Sequence, residues 1–95
     1  SELPAGYRVV DGDEPRGPRE GARRWYMVSD GLAVVSVYIE EDRGHGGLDG
    51  QRQVGALNAA GRLVDGHQVT VVGEVPEPTV EAVLASVTFR AEREQ

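Results

Sequence analysis

Apolar and polar residues alternate along much of this chain, and the alternation marks strands before any other feature does. Leu3 to Val10 reads as a turn followed by a short strand carrying Tyr7, Val9 and Val10. Asp11 to Gly21 is dense in Pro, Gly and charge, with almost nothing apolar, and reads as a loop. Arg23 to Ile39 reads as a β-hairpin, with an Asp30-Gly31 pair marking its turn. A two-residue loop there pairs Val28 with Ala33 and sets Trp25 opposite Ser36. A three-residue loop, Ser29 to Gly31, places Gly31 in the left-handed region. It gathers Trp25 and Met27 on one face with Ala33, Val35 and Val37, and is the preferred register.

Glu40 to Gly50 is a second loop, Gly-rich and acidic, and Gln53 to Val75 is a second hairpin around Asp65-Gly66. A two-residue loop sets Arg62 opposite Val69. A three-residue loop, Val64 to Gly66, puts Leu57, Ala59, Gly61 and Leu63 on one face with Val69, Val71 and Val75, and is again preferred. The two hairpins then share one turn chemistry. Pro76 to Val87 is the one helical stretch, because Val80, Val83, Leu84 and Val87 fall at i, i+3, i+4 and i+7. Pro78 suits the first turn, and Glu77 and Glu81 lie near the positive end of the helix dipole. Phe89 follows and can close the core, and the last residues fray.

These elements predict an α+β fold in a single domain over residues 1–95: an antiparallel β-sheet of about five strands with one C-terminal α-helix packed on one face. One short helix covers one face only. Leu32, Val34, Tyr38 and Val72 point away from it and together form a candidate docking face. The alternative is that they are scattered surface apolars, which are common.

Composition narrows the chemistry. Ninety-five residues support one core, and with no Cys neither a disulfide nor a thiolate metal site reinforces it. The net charge is −6, and all ten basic residues are Arg, a balance that argues against binding a nucleic-acid backbone. No apolar run approaches the ~20 residues of a membrane span, and no signal peptide is visible. The chain starts at Ser1 without an initiator Met, so it can be a piece of a longer exported protein. Arg16, Arg19, Arg23 and Arg24 form a local basic cluster. It is either a solvated loop or a site for an acidic partner segment or a phosphate group.

Catalytic and metal patterns fail on inspection. The only two His are His45, in a Gly-rich loop, and His67, beside a turn. Ser29-Asp30 lacks the setting of a hydrolase nucleophile. Asp11-Gly12-Asp13 starts like a calcium loop, but Pro15 and Arg16 stand where an oxygen ligand and Gly belong. Gly44-His45-Gly46 continues to Asp49 where a third Gly would be needed for a dinucleotide fingerprint. Glu40, Glu41 and Asp42 read as a solvated charge run. No catalytic residue, no cofactor and no metal is expected.

Three runs carry a family resemblance. They are Leu3-Pro4-Ala5-Gly6-Tyr7-Arg8; Ser29-Asp30-Gly31-Leu32-Ala33 with Ser36-Val37-Tyr38-Ile39-Glu40; and Val69-Thr70-Val71-Val72-Gly73-Glu74-Val75-Pro76 with Thr79. In this order they resemble the C-terminal domain of the RseB/MucB family of periplasmic regulators of the sigma-E type envelope-stress response. Val28 stands where the family usually carries an aromatic. The resemblance implies a periplasmic, non-enzymatic regulatory domain. It would bind the periplasmic part of a membrane anti-sigma factor of the RseA/MucA type and shield it from regulated proteolysis. The family's larger N-terminal, lipid-sensing domain is absent from this chain and is a second implied partner. Physically, the matched residues read mostly as scaffold: Gly31 and Gly66 permit positive φ, and Val69 to Pro76 forms a central strand leading into the helix. The other reading, from a different class, is a structural or dimerisation module of a larger exported protein. Sequence leaves the oligomeric state, and the face or edge that makes the contact, open.

Overall fold

The strand-forming runs do become strands, but the loop lengths set which residues face inward. A computed structural model describes residues 3–12, 24–41 and 47–93, with helix side chains as far as Val87. Among the described residues there are six strands: β1 (Arg8–Gly12), β2 (Arg24–Ser29), β3 (Val34–Glu41), β4 (Gly50–Val54), β5 (Leu57–Val64) and β6 (His67–Gly73). They precede one helix, α1 (Glu77–Arg93). The strands form one antiparallel sheet in the order β1-β2-β3-β6-β5-β4. The expected α+β class holds, with one strand more than the five anticipated. The addition is β4, which lies in what reads as the end of a loop and the start of the second hairpin. Its residues Gln51, Arg52 and Gln53 are exposed and carry no apolar alternation.

Both hairpin registers differ from the sequence expectation. Ser29 pairs with Val34 and Val28 with Val35, so the first loop has four residues, Asp30 to Ala33. Tyr26 and Val28, not Trp25 and Met27, therefore share the helix-side face with Val35 and Val37. In the second hairpin Val64 pairs with His67, leaving only Asp65 and Gly66 in the loop. Both have positive φ, 49° and 79°, the conformation of a type I′ turn whose twist matches the flanking strands. Ala60 and Val64 consequently point inward with Val69 and Val71, while Leu57, Ala59 and Leu63 point outward. Arg62 stands opposite Val69, a charged residue across from an apolar one. The cost is avoided because Arg62 is exposed while Val69 is buried. The two hairpins thus use different turns.

The helix follows its sequence pattern and runs further than predicted, through Arg93. Val80, Val83, Leu84 and Val87 are all buried, and α1 lies over β5 and β6. At its start the Pro76 carbonyl accepts the Thr79 N–H at 2.9 Å. Phe89 lies within the helix but outside the residues whose side chains are described. The core is mainly valine, with Tyr26, Ala60 and Leu84. Leu3, Tyr7 and Val9 pack against it, so the N-terminal run does tie the chain to the sheet, with the Tyr7 N–H donating to the Pro4 carbonyl.

Gly31 and Gly66 have φ of 96° and 79°, as predicted, and nothing lies within 4 Å of where a Cβ would stand on either. Space is therefore not the obstacle to a side chain there; backbone conformation is. Gly31→Val and Gly66→Val are each expected to lower stability by more than ~1 kcal/mol, since a β-branched residue is strained at positive φ. Thermal melts of both variants at parent-like temperatures would contradict this.

Candidate functional site: the open face of the sheet

With α1 on one face, the other face of the sheet is the place to look for a site. Residues directly opposed in antiparallel strands point the same way. Val34 opposes Ser29, Ser36 opposes both Met27 and Val72, and Tyr38 opposes Trp25 and Thr70. Ala59 opposes Val72. This outer face therefore carries Val34, Tyr38 and Val72, and the structure brings them together with Leu32 at the loop tip. All four line one open groove of about 470 Å³, together with Leu57 and Glu74. That volume lies within the range of clefts that hold ligands.

The register shift enlarges the face. Trp25 and Met27, expected in the core, stand half-buried on the outer side beside Tyr38 and Ser36. Leu57 joins the groove for the same reason. Only the parity of the loops could have revealed them, since each is apolar enough for either face. The far end of the outer face is closed off: Gln68 donates from Nε2 to the Leu48 carbonyl at 2.8 Å, holding the segment before β4 near Gln68 and Thr70.

Arg24, the one member of the basic cluster among the described residues, does not join this site. Arg24 starts β2 opposite Ile39, in phase with Tyr26 and Val28, so it belongs to the helix-side face. Arg16, Arg19 and Arg23 lie outside the described residues.

The loop at the groove's edge is held by side chains. The Asp30 carboxylate accepts from the Leu32 and Ala33 N–H groups through Oδ1, at 2.9 and 3.0 Å. The Ser29 hydroxyl accepts from the Gly31 N–H at 3.0 Å and donates to the Ala33 carbonyl at 2.7 Å. These bonds explain the four-residue loop: they satisfy main-chain groups that a tighter turn would have paired. Hydrogen bonds from the backbone at Ala33 and then Leu32 hold the Asp30 carboxyl below its ordinary value. Tyr7 is pushed up, mainly by burial and secondarily by the Asp30 charge. Because the folded value of Asp30 is depressed, its stabilisation of the loop is complete above the ordinary carboxylate value of 3.8 and is lost as pH falls through the lower folded value. Amide shifts of Leu32 and Ala33 should thus be constant near neutral pH and titrate only in acid, below the midpoint of a free Asp. A midpoint at or above the free value would contradict these bonds.

Among the described residues no group of three or more His, Cys, Asp or Glu is gathered to hold a metal. No helix among them is long and apolar enough to cross a membrane.

The fold and this face define an α+β sheet module, helix-covered on one side and open along an apolar groove on the other. The family model of the MucB/RseB C-terminal domain matches residues 1–88, and the chain belongs to that family. The solved structures similar to it include two at 33% identity, each with a TM-score of 0.64 over 86% of this chain. One is the complex structure of Pseudomonas aeruginosa MucA/MucB, and the other is the crystal structure of MucB in complex with MucA(peri). The chain spans about a third of the length of the solved chains it matches, 31% and 32%. No curated protein matches it.

Proposed function

We propose that this chain is a non-enzymatic regulatory domain of the periplasm. On this reading it binds the periplasmic part of a membrane anti-sigma factor and protects it from regulated proteolysis, restraining a sigma-E type envelope-stress response. The observation that carries the proposal is the family match over residues 1–88, joined to an outer sheet face whose apolar groove has no covering element among the described residues. The neighbouring solved structures support it, since both are complexes of MucB with MucA. Within a longer parent protein, the family's lipid-sensing domain is a second partner for the chain. Leu32, Val34, Tyr38 and Val72 are the proposed contact. Arg24 stands on the opposite face and is not assigned to it.

The test is calorimetric titration of the chain with the periplasmic segment of the anti-sigma factor from the same genome. Saturable binding is expected. Its absence would favour the other reading, a structural or dimerisation module.

A further inference from the structure

Leu32 is 96% exposed, the most open large apolar residue among those described, yet it sits on a firmly braced loop. Four hydrogen bonds from Ser29 and Asp30 fix the five residues from Ser29 to Ala33. Burial in the core therefore cannot explain why a leucine stands at this tip. We infer that the Ser29–Ala33 loop is a preorganised anchor that holds Leu32 against an extended apolar segment of a partner protein, a segment lying in the groove between Leu32 and Leu57 and carrying a Lys or Arg toward Glu74.

Three observations converge on that occupant. The groove is lined by Leu32, by Val34 and Tyr38 of β3, by Val72 on the neighbouring β6 and by Leu57 of β5 beyond it, which suits apolar side chains. Its one charged lining residue is Glu74, and the chain as a whole carries −6, so a cation next to the apolar residues is favoured and an acidic segment is not. The same net charge disfavours a second copy of this chain as the occupant. Preorganisation adds the energetic reason. A loop already fixed in its bound shape loses little conformational freedom on binding, so an exposed leucine on it yields more affinity than one on a slack loop. Ser29 and Asp30 then act as positioning residues through Leu32, without touching the partner.

This inference rests on the proposed function, and the experiment separates the two. The probe is the same periplasmic anti-sigma segment, titrated into the parent chain and into Leu32→Ala, Asp30→Ala, the Asp30→Ala/Leu32→Ala double variant and Glu74→Gln. Leu32→Ala is expected to lose at least about tenfold in affinity, the scale of a central anchor. Its melting temperature should stay within about 3 °C, because surface truncations cost little. Asp30→Ala should weaken binding in the parent background and cost nothing further once Leu32 is gone. Glu74→Gln should also weaken binding. Parent-like affinity of Leu32→Ala, with the parent chain still binding, overturns the anchor while the proposed function stands. An equal cost of Asp30→Ala in both backgrounds overturns its positioning role, and unchanged or tighter binding by Glu74→Gln overturns the cationic segment. A parent chain that fails to bind at all overturns the inference together with the reading beneath it. Sedimentation showing that the parent self-associates and Leu32→Ala does not would assign the groove to a second copy instead, and would overturn the inference as well.

Discussion

A chain carrying Val34→Asp and Tyr38→Ala together is expected to bind the anti-sigma segment at least ~2 kcal/mol more weakly than the parent, a loss of about thirtyfold, while remaining folded. Val34 and Tyr38 lie two apart on β3, so both point to the outer face, and both line the groove. Truncating Tyr38 removes apolar area from its wall, and the new carboxylate at position 34 places an unpaired charge where apolar contact is proposed. Neither change reaches the core, because Val35 and Val37, the inward neighbours, are untouched and fully buried. Calorimetry on the folded double variant, with its circular dichroism compared to the parent, decides the matter. Unchanged affinity would remove the outer face from consideration and leave the exposed edge strand β4 or the loops as the contact.

The second large effect concerns the core, and it tests the strand register directly. Leu84 is 2% exposed on the face of α1 that packs on the sheet, and most of its core neighbours are valines. Valine is too short to close a gap left by a missing isobutyl group. Leu84→Ala is therefore expected to cost about 2–5 kcal/mol, lost transfer energy plus a residual cavity. Against a total of roughly 5–15 kcal/mol this is a large fraction, and the melting temperature should fall by something on the order of 10–30 °C. Leu63→Ala is the control. Leu63 is 52% exposed because the two-residue turn at Asp65-Gly66 directs it outward. Its truncation should change stability by no more than about 0.5 kcal/mol. Had the loop been three residues long, Leu63 would lie in the core and the two truncations would cost alike. Comparable losses in parallel thermal melts would thus refute the register as well as the control.

Much of this architecture was legible in the residues themselves. The spacing of Val80, Val83, Leu84 and Val87 admits one buried helical stripe, and all four are buried. Asp-Gly pairs at 30–31 and 65–66 mark turns wherever they fall between apolar runs, and both glycines take positive φ. Val34, Tyr38 and Val72 were assigned to the outer face by the period-two alternation of strand side chains, and the structure places them there with Leu32 at the loop tip. The three family runs were legible for a different reason: they combine scaffold positions in an order that composition alone does not produce, and the family model matches residues 1–88.

What the residues did not reveal turns on parity. A strand's side chains alternate with period two, so adding or removing one loop residue inverts every assignment beyond it. Trp25 and Tyr26, or Leu63 and Val64, are adjacent apolar residues, and local pattern cannot choose between them. The choice is made by interactions that exist only in the folded loops: the Asp30 carboxylate reaching two main-chain N–H groups, the Ser29 hydroxyl bridging Gly31 and Ala33, and Asp65 accepting a left-handed conformation beside Gly66. Strand β4 was hidden for a related reason. Its residues are exposed and polar, so only the pairing with β5 makes them a strand. Sequence by itself thus determined the class of fold, the helix and its buried stripe, the turns and the family. Tertiary structure decided which face each strand presents, and so added Trp25, Met27 and Leu57 to the open face, because face depends on the count of residues closed into a turn and not on their hydrophobicity.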